Sequence, residues 1–587
     1  MELSCREKIL SNEYADWVID FELADWLKRL DNQGVDYCYD KIDDTLGIIY
    51  AKRDEMEESG LLNYSYRQIP SLLGLAEISR EEGESEFNFT PLYETGSLTA
   101  WEEPLSLTGK NTVIALIGTG IDYTSPLFRK PDGSSRILAI WDQTLEDGSP
   151  PATAGYGSEY TKEQIDRALK DENPLQQVST ADTEGHTSCV AAVAAGSRLV
   201  TPEIYSGAAY EAEFVIVKLK ECKTYLREYY LLPPQVPAYQ STDIIKALQY
   251  ADSFVKEFFR PVIFCLTLGT NYGSHSGTTP LSRYIERLGN KRGRVVIVSG
   301  GEEGNKAHHY SGVFEPEKEE EKREEAEISV AAGETGFVAE IWGSIPGELR
   351  VGIRAPSGEL LSIDSIRQSR EVSYGFVYEK TRITITYSSL DSATGDQLII
   401  LRIEKPSEGI WTFVIEGEEE ALRQEFHIWL PNTEFLSSEV YFLKPDPDIT
   451  LMVPSFANNA ICTASYSTDT NSFYARGGRG FSRGALKKPD LAAPAVGISS
   501  PLKSLPGQLR IGKQTSTAFS AAFMAGAASQ FLQWAYGEGE RNYLNGNEVK
   551  SFFLSAAKRE PDRGYPSREW GYGKLSLIGI FDRLAGI

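Results

Sequence analysis

Three side chains that could together catalyse acyl transfer occur in the order aspartate, histidine, serine. Asp122 follows a glycine turn, while His186 and Ser516 each precede a stretch rich in small residues. In a catalytic triad the serine attacks a carbonyl group, the histidine removes its proton and the aspartate orients the histidine. The three positions are far apart in the sequence, so such chemistry depends on a fold that brings them together.

The candidate aspartate lies just beyond the end of a predicted strand. An apolar run rich in β-branched residues, 113–117, stops at Gly118-Thr119-Gly120. This pattern is typical of a buried parallel strand entering a loop, which is where α/β proteins place their chemistry. The two glycines also fit the start of a dinucleotide-binding fingerprint, but its third glycine is missing. We therefore discount a nucleotide site.

Several further segments repeat the pattern of an apolar strand followed by a glycine loop. They alternate with helical segments, and two of the helices are built from small side chains, at 186–196 and 516–528. Alternation of this kind predicts an α/β domain with a doubly wound parallel sheet. The strand segments are 214–219, 261–269, 294–305 and 460–466.

Two regions differ from this α/β pattern. The N-terminal region reads as a small α+β unit, with a helix over Tyr14–Leu30, a strand over Leu46–Ala51 and an acidic linker over Glu81–Glu94. A charge run from Glu315 leads into short alternating strands separated by turns, which predicts an inserted all-β jelly roll. The predicted domains are therefore 1–95, 96–314, 315–450 and 451–587.

Composition excludes several classes of partner. At 587 residues the chain should form more than one domain, and its net charge of −25 argues against nucleic acid and anionic membranes. The charged N-terminus lacks a signal-peptide pattern, and no segment has the length and apolarity of a membrane span. We therefore expect a protein that is made in the cytoplasm.

No cofactor or metal site is indicated by the sequence. The six cysteines are scattered, so we expect reduced and mostly buried thiols rather than a disulfide framework. Most histidines also lack the spacing of a metal site and are expected to be structural: His275, His308, His309 and His427.

The strand and the first small-residue helix resemble the subtilisin-like serine peptidases. In that family the first catalytic strand ends in Asp-Thr/Ser-Gly-Ile-Asp, and Gly118 stands where the catalytic aspartate is expected. The segment from Gly185 to Gly196 resembles the histidine block and keeps His186 at the general-base position. Cys189 replaces a second histidine that is not catalytic. The resemblance implies a subtilisin-like fold in which the first triad residue is missing.

A second departure concerns the oxyanion loop. The family pattern Ala-Ala-Gly-Asn-Glu-Gly-Asn corresponds to 299–305, where Glu302 stands in place of the asparagine donor. An ionised carboxylate has no hydrogen to donate and would repel a developing oxyanion. Loss of such a donor typically lowers turnover by about 10²–10³.

The nucleophile block allows two alignments with the family pattern. Counting back eight residues from Gly526 places Ala518 at the nucleophile, whereas the alternative places Ser516 there. The alternative needs two more residues in the following helix, which at about 100° each would turn its small-residue face by roughly 200°. We favour Ala518, whose methyl group cannot attack a carbonyl.

Other arrangements of the remaining groups are less favoured. Asp122 matches the second aspartate of the family pattern and lies past the strand end, so it is a poor substitute for the residue missing at Gly118. A dyad of Cys189 and His186 would need the thiol to face the nucleophile site, and we expect it to face away. His186 is then the one retained triad position, and more often a leftover or packing residue than a catalyst.

A narrower resemblance covers nearly the whole chain. The retained propeptide-like domain, the inserted β domain and several shared segments resemble the clostridial Csp proteins, subtilisin-like proteins of spore germination. Active members cleave and activate a cortex-lytic hydrolase precursor, and pseudoprotease members (CspC and CspA) relay germinant signals. The segments are 267–278, 340–343, 410–413, 442–447 and 566–573.

The leading hypothesis is therefore an inactive pseudoprotease that regulates germination in the spore. The resemblance implies an active Csp protease or another germination protein as partner and a small-molecule germinant as a candidate ligand. Two alternatives are a weakly active endopeptidase using Ser516 and His186, and a scaffold whose sandwich merely stabilises the fold. In the leading hypothesis the propeptide-like domain stays attached, with its tail, between Gly74 and Leu98, in the cleft.

Overall fold

The structure is a computed structural model that describes most of the chain. In this part of the chain no helix combines the length and the apolarity needed to cross a membrane. The charge run that begins at Glu315 lies partly outside the described residues, at 316–321. The described residues are 3–55, 66–81, 83–200, 204–256, 260–315, 322–362, 371–388, 390–417, 423–502, 509–537, 539 and 541–586.

The N-terminal unit is an antiparallel sheet of order β1-β3-β2 with two helices. The predicted helix over Tyr14–Leu30 is wrong in its first part, because Tyr14–Ile19 is a strand and the helix covers Leu23–Gln33. All six residues of that strand are buried, with Trp17 and Val18 in different apolar clusters, so it lies between two apolar layers. Its elements are α1 (Cys5–Leu10), β1 (Tyr14–Ile19), α2 (Leu23–Gln33), β2 (Tyr37–Lys41), β3 (Gly47–Lys52), β4 (Leu72–Leu75) and β5 (Ser79–Arg80).

One pair of cysteines departs from the expectation of reduced thiols. Cys5 in α1 and Cys38 in β2 form a disulfide, with their Cα atoms 5.6 Å apart. The two cysteines are separated by 33 positions in the sequence, with no local signal of pairing. The pair forms because α1 packs beside β2. The other four cysteines are free and buried, as expected: Cys189, Cys222, Cys265 and Cys462.

The first part of the α/β domain contains eight strands and seven helices in its described residues. Its elements are α3 (Thr90–Glu94), α4 (Ser97–Ala100), β6 (Val113–Gly118), β7 (Ile137–Asp142), β8 (Ser158–Thr161), α5 (Lys162–Ala168), α6 (His186–Ala195), β9 (Glu213–Lys218), α7 (Thr224–Tyr229), β10 (Tyr239–Gln240), α8 (Ser241–Lys256), β11 (Val262–Leu266), β12 (Leu268–Gly269), α9 (Pro280–Gly289) and β13 (Arg294–Ser299).

Two antiparallel sheets interrupt this domain and enclose an apolar core of their own. The sheet orders are β14-β23-β16-β21-β20-β19 and β18-β17-β22-β15-β24. Apolar side chains alternate inward along the strands, as the short alternating pattern predicts. The strands are β14 (His309–Phe314), β15 (Arg323–Val330), β16 (Gly336–Gly343), β17 (Arg350–Arg354), β18 (Leu360–Leu361), β19 (Glu371–Gly375), β20 (Arg382–Ser388), β21 (Gln397–Glu404), β22 (Gly409–Glu416), β23 (Gln424–Trp429) and β24 (Val440–Phe442).

The α/β domain then resumes and completes one large sheet. Its order is β26-β25-β13-β11-β6-β9-β7-β8, with β27 paired to β25, and only β8 and β26 run antiparallel. The last elements are β25 (Ile461–Ser467), β26 (Ser472–Phe473), β27 (Leu491–Pro494), β28 (Ile498–Pro501), β29 (Ile511–Thr515), α10 (Thr517–Tyr536), α11 (Gly546–Ala556) and α12 (Ile578–Ala585).

The parallel core of this sheet explains where the candidate residues meet. Gly118 ends β6 and Ser299 ends β13, and parallel strands place their carboxyl ends at one edge. The small residues of α6 and α10 let these two helices pack closely. A Cβ atom on Gly526 of α10 would lie 2.4 Å from the Cβ of Ala208 and 2.7 Å from the carbonyl oxygen of Ala194, so only glycine fits there.

Candidate active-site cleft

His186 is the first residue of α6, and the start of this helix is held by a nearby carboxylate. Asp182 accepts hydrogen bonds from the backbone N–H of Gly185 (2.8 Å) and of Ser188 (3.0 Å). The imidazole is buried, with 6% of the residue exposed, and burial lowers the pKa of His186 below its usual value. The ring is therefore neutral at physiological pH.

The hydrogen bonds of His186 fix its tautomer. Nε2 lies 2.8 Å from the carbonyl oxygen of Ala76, so it must carry the proton and donate it. Nδ1 is buried and has no hydrogen-bond partner among the described residues. In a working triad Nδ1–H donates to the aspartate and Nε2 accepts from the serine. The neutral ring here has the opposite tautomer.

The end of β6, where the sequence predicts that a triad residue is missing, is closed by a hydroxyl group. Gly118 ends β6, and a Cβ atom on it would lie 2.4 Å from Oγ1 of Thr187. That hydroxyl accepts the backbone N–H of Thr119 at 2.8 Å, and Thr119 Oγ1 accepts the N–H of Thr187 at 3.1 Å. Thr187 thus closes the strand end against α6, a role that the sequence did not reveal.

Asp122 is engaged in its own turn. Its Oδ1 accepts from the N–H (3.1 Å) and the hydroxyl (2.6 Å) of Thr124, while its backbone N–H donates to Ser188 Oγ. No described hydrogen bond joins Asp122 to His186. Its carboxylate is therefore used to shape the loop after β6.

Glu302 contacts the start of α10. Its Oε1 accepts the backbone N–H of Thr517 at 2.6 Å, and its Oε2 lies 3.7 Å from Nε of Arg476. Burial raises the pKa of Glu302, so the carboxyl holds a proton to higher pH than a free glutamate does. A protonated Glu302 would repel an oxyanion less than the expected carboxylate does. Its Oε1 nevertheless accepts a hydrogen bond from Thr517 and offers no donor.

Ser516 caps α10, and no described hydrogen bond joins it to His186. It precedes the first helical residue, is fully buried, and its hydroxyl accepts the backbone N–H of Ala518 at 3.1 Å. The same hydroxyl lies 3.5 Å from Oε1 of Glu302. An N-cap serine with its hydroxyl committed to the helix is a common structural role.

Ala518 is the second residue of α10 and is fully buried. In serine peptidases the backbone N–H of the nucleophile helps to bind the oxyanion. The N–H at this position is occupied by Ser516. The two positions that the sequence proposed for a nucleophile are therefore bonded to each other.

Cys189 faces away from the ring of His186. Its thiol donates to the carbonyl oxygen of Pro501 at 3.2 Å, on the side of β28. Burial raises the pKa of Cys189 to about 12, so the reactive thiolate is strongly disfavoured.

A segment from the N-terminal region crosses the cleft as a strand. β4 lies between β10 and β12 and is antiparallel to both, with Leu73 opposite Tyr239 and Gly74 opposite Gly269. The ladder continues at Ala76, whose N–H donates to the carbonyl oxygen of Thr267 at 2.9 Å. Since the carbonyl of Ala76 also contacts His186, this residue lies at the centre of the candidate site.

The segment beyond Ala76 continues along the opposite side of the cleft. β5 pairs with β29, and the N–H groups of Glu81 and Ser85 donate to backbone carbonyls of the same strand. Arg476 forms an ion pair with Glu77 and donates to Ser79 Oγ at 3.3 Å. The predicted linker over 81–94 is thus bonded to the α/β domain near its start, and Arg476 was not found by sequence reasoning.

The remaining histidines take part in a network between the inserted sheets and the α/β domain. The rings of His275 and His309 stack on Trp429, and His309 Nε2 lies 3.0 Å from His427 Nδ1. His308 Nδ1 lies 2.6 Å from a carboxylate oxygen of Glu303. Among the residues that the structure describes, no histidine, cysteine or carboxylate side chains are grouped closely enough to hold a metal ion.

Comparisons with known proteins agree with the overall fold. A family model described as "Subtilase family" matches residues 109–573. The structure is similar to that of the Clostridium perfringens CspB protease, with 25% identity and a TM-score of 0.73, covering 85% of this chain and 98% of that chain. A comparison with curated proteins found no match.

Two further solved structures are more distant. Fervidolysin from Fervidobacterium pennivorans, a keratinolytic enzyme related to subtilisin, has 10% identity and a TM-score of 0.47, covering 97% of this chain and 61% of that chain. The epidermin leader peptide processing protease of Staphylococcus aureus has 10% identity and a TM-score of 0.46, covering 97% and 99%. The family match and the CspB likeness confirm the predicted subtilisin-like fold.

Restoring a carboxylate at the end of β6 should destabilise the protein. Gly118→Asp places new atoms against Thr187 Oγ1, and overpacking of this kind costs about 1–3 kcal/mol. We expect urea unfolding to show that loss for Gly118→Asp. In a Thr187→Ala background, Gly118→Asp should lower the free energy of unfolding by clearly less. An equal loss in both backgrounds would show that the overlap with Thr187 is not the cause.

Glu302 should make stability depend on pH. Because its pKa is raised on folding, the folded state keeps the proton more tightly, and stability falls as pH rises above about 4.5, the value of the unfolded chain. Glu302→Gln stays neutral, so its stability relative to the natural protein should increase from pH 5 to pH 8 in urea unfolding. The exposed control Glu81→Gln should show no such trend. A stability difference between Glu302→Gln and the natural protein that is constant with pH would contradict the raised pKa of Glu302.

Proposed function

Because the chain belongs to the subtilase family, whose members are normally serine proteases, we propose that it is a pseudoprotease that keeps the substrate cleft and lacks peptidase activity. The observation that carries the proposal is the state of His186, whose Nδ1 has no described partner and whose Nε2 donates to a backbone carbonyl. A general base must accept a proton at Nε2. The ring at the centre of the cleft is arranged as a donor instead.

The other positions of the site support the same conclusion. Loss of the nucleophile alone lowers turnover by about 10⁶ in this type of enzyme, and Ala518 offers no hydroxyl. Loss of a single oxyanion donor costs about 10²–10³, and Glu302 already accepts a hydrogen bond where a donor is needed. These losses do not simply multiply, but loss of the nucleophile is by far the larger and dominates the expected inactivity.

The proposed biological role is regulation of spore germination. The likeness to the CspB protease supports a place among Csp proteins, and the sequence resembles the pseudoprotease members of that group, CspC and CspA. In this role the protein acts in the spore with an active Csp protease or another germination protein. While residues 72–80 occupy the cleft, other surfaces remain accessible to a partner or a germinant.

The first test is covalent integrity and reactivity of the purified full chain. With no working nucleophile, intact mass spectrometry should give one species near 65.1 kDa, and a fluorophosphonate probe should leave it unlabelled. Labelling that is abolished by Ser516→Ala would instead establish the alternative, an endopeptidase using Ser516 and His186. Cleavage between Gly74 and Leu98 that is abolished by His186→Ala would also contradict the proposal.

A second test restores the nucleophile. Ala518→Ser should give no measurable peptidase activity, because His186 still lacks a partner at Nδ1 and Glu302 still faces Thr517. The assay should combine intact mass with turnover of a chromogenic peptide, using an active subtilisin as the positive control. Robust hydrolysis by this single variant would show that another carboxylate orients the histidine.

A further inference from the structure

We propose that Glu434 makes the cleft selective for peptides that carry glycine at the position of Gly74. Glu434 belongs to the turn Thr433–Phe435, where the chain passes from β23 to β24 of the inserted sheets. The inference rests on the proposed function, because it treats the cleft as a site that binds extended peptides without cutting them. It assigns the inserted unit a direct part in recognition.

A side chain at position 74 would overlap Glu434 in its present position. β4 is paired on both sides, so this residue cannot move sideways without breaking a ladder. A Cβ atom on Gly74 would lie 1.8 Å from Oε1 of Glu434 and 2.8 Å from its Cδ. No real Cβ atom tolerates such distances, so either the glutamate or the strand must move.

Glu434 is tied in place by a buried amide. Asn432 Nδ2 donates to Glu434 Oε1 (2.9 Å) and to the carbonyl oxygen of Gly269 (3.0 Å). Asn432 Oδ1 in turn accepts the N–H of Asn271 at 2.8 Å, and the asparagine is fully buried. Because Gly269 is the residue opposite Gly74, the glutamate is anchored to the same rung of the sheet that it covers.

The turn that carries Glu434 is also joined to the loop of Glu302. Glu303, the next residue, accepts hydrogen bonds from the backbone N–H (3.0 Å) and the hydroxyl (2.9 Å) of Thr433. The inserted unit is thereby coupled to the centre of the cleft. The backbone that carries Glu434 is therefore held by Glu303, and its carboxyl group can leave Gly74 only by giving up the hydrogen bond from Asn432.

A weaker preference arises two residues beyond the strand. Arg476 pairs with Glu77 and also lies near Glu302, so an acidic residue at position 77 gains an attraction to the guanidinium group that a neutral residue lacks. Glu77 is exposed, and exposed ion pairs contribute at most about fivefold to an equilibrium. Glycine at 74 is the main requirement and the acid is secondary.

These contacts describe the class of polypeptide that could replace the tail. It is an extended segment with apolar residues at the positions of Leu72 and Leu73, glycine at 74, a small residue at 76 and an acid at 77. Leu72 and Leu73 are fully buried and Ala76 nearly so, which sets the apolar and small positions. A partner protein that exposes such a segment is the ligand that the cleft would accept.

The test is hydrogen exchange on the intact full chain, read by mass spectrometry. In Gly74→Ala the amides of residues 72–80 should exchange at least tenfold faster than in the natural protein, whereas peptides from β6 and α10 should not change. Glu434→Ala alone should stay within about threefold. The double variant Gly74→Ala/Glu434→Ala should return the segment to within about threefold of the natural rate.

A matched control is available in the same chain. Gly564 has open space around its Cα, so Gly564→Ala should leave exchange of 72–80 unchanged. Protection of 72–80 in Gly74→Ala equal to the natural protein would overturn the proposal, and so would a double variant as fast as Gly74→Ala. Intact mass of each variant reports cleavage separately, so failure of the proposed inactivity would be seen as a cut chain, independently of the coupling between positions 74 and 434.

Discussion

The pairing of β4 between β10 and β12 is the constraint on which the rest of the cleft depends. It places the carbonyl of Ala76 against His186, the face of Gly74 under Glu434 and the side chain of Glu77 beside Arg476. Each of these contacts joins the N-terminal region to a different element. A backbone ladder buried on both sides is rigid in register, because a shift by one residue would turn every side chain to the opposite face.

The polar groups that a transition state would use are already bonded within the protein. The N–H of Ala518 is taken by Ser516, the N–H of Thr517 by Glu302, and the end of β6 by Thr187. The first N–H groups of a helix have no partner within the helix, so an acceptor placed beside them satisfies a donor. Glu302 does this for Thr517 from the position where the family pattern has an asparagine.

The sequence predicts those parts of the structure that depend on local pattern. The parallel strands, the small-residue helices α6 and α10 and the inserted β unit follow from periodicity and glycine loops. The strand at Tyr14–Ile19 was missed because it is buried on both faces, so its apolar spacing does not distinguish strand from helix. The Cys5–Cys38 bond, Thr187, Arg476 and Glu434 depend on contacts between distant segments, which no local pattern encodes.

If the chain is a pseudoprotease, as we propose, a single substitution is a poor route to catalysis. An oxyanion could use the N–H of Ala518 only after that group leaves Ser516, and a buried hydroxyl that loses its donor is costly to leave unsatisfied. A carboxylate at position 118 would have to displace the Thr187 hydroxyl, which is shared with Thr119. The histidine would have to give up the carbonyl of Ala76 and change tautomer. Each of these changes breaks a different hydrogen bond of the present site, so a substitution at one position leaves the other two arrangements in place.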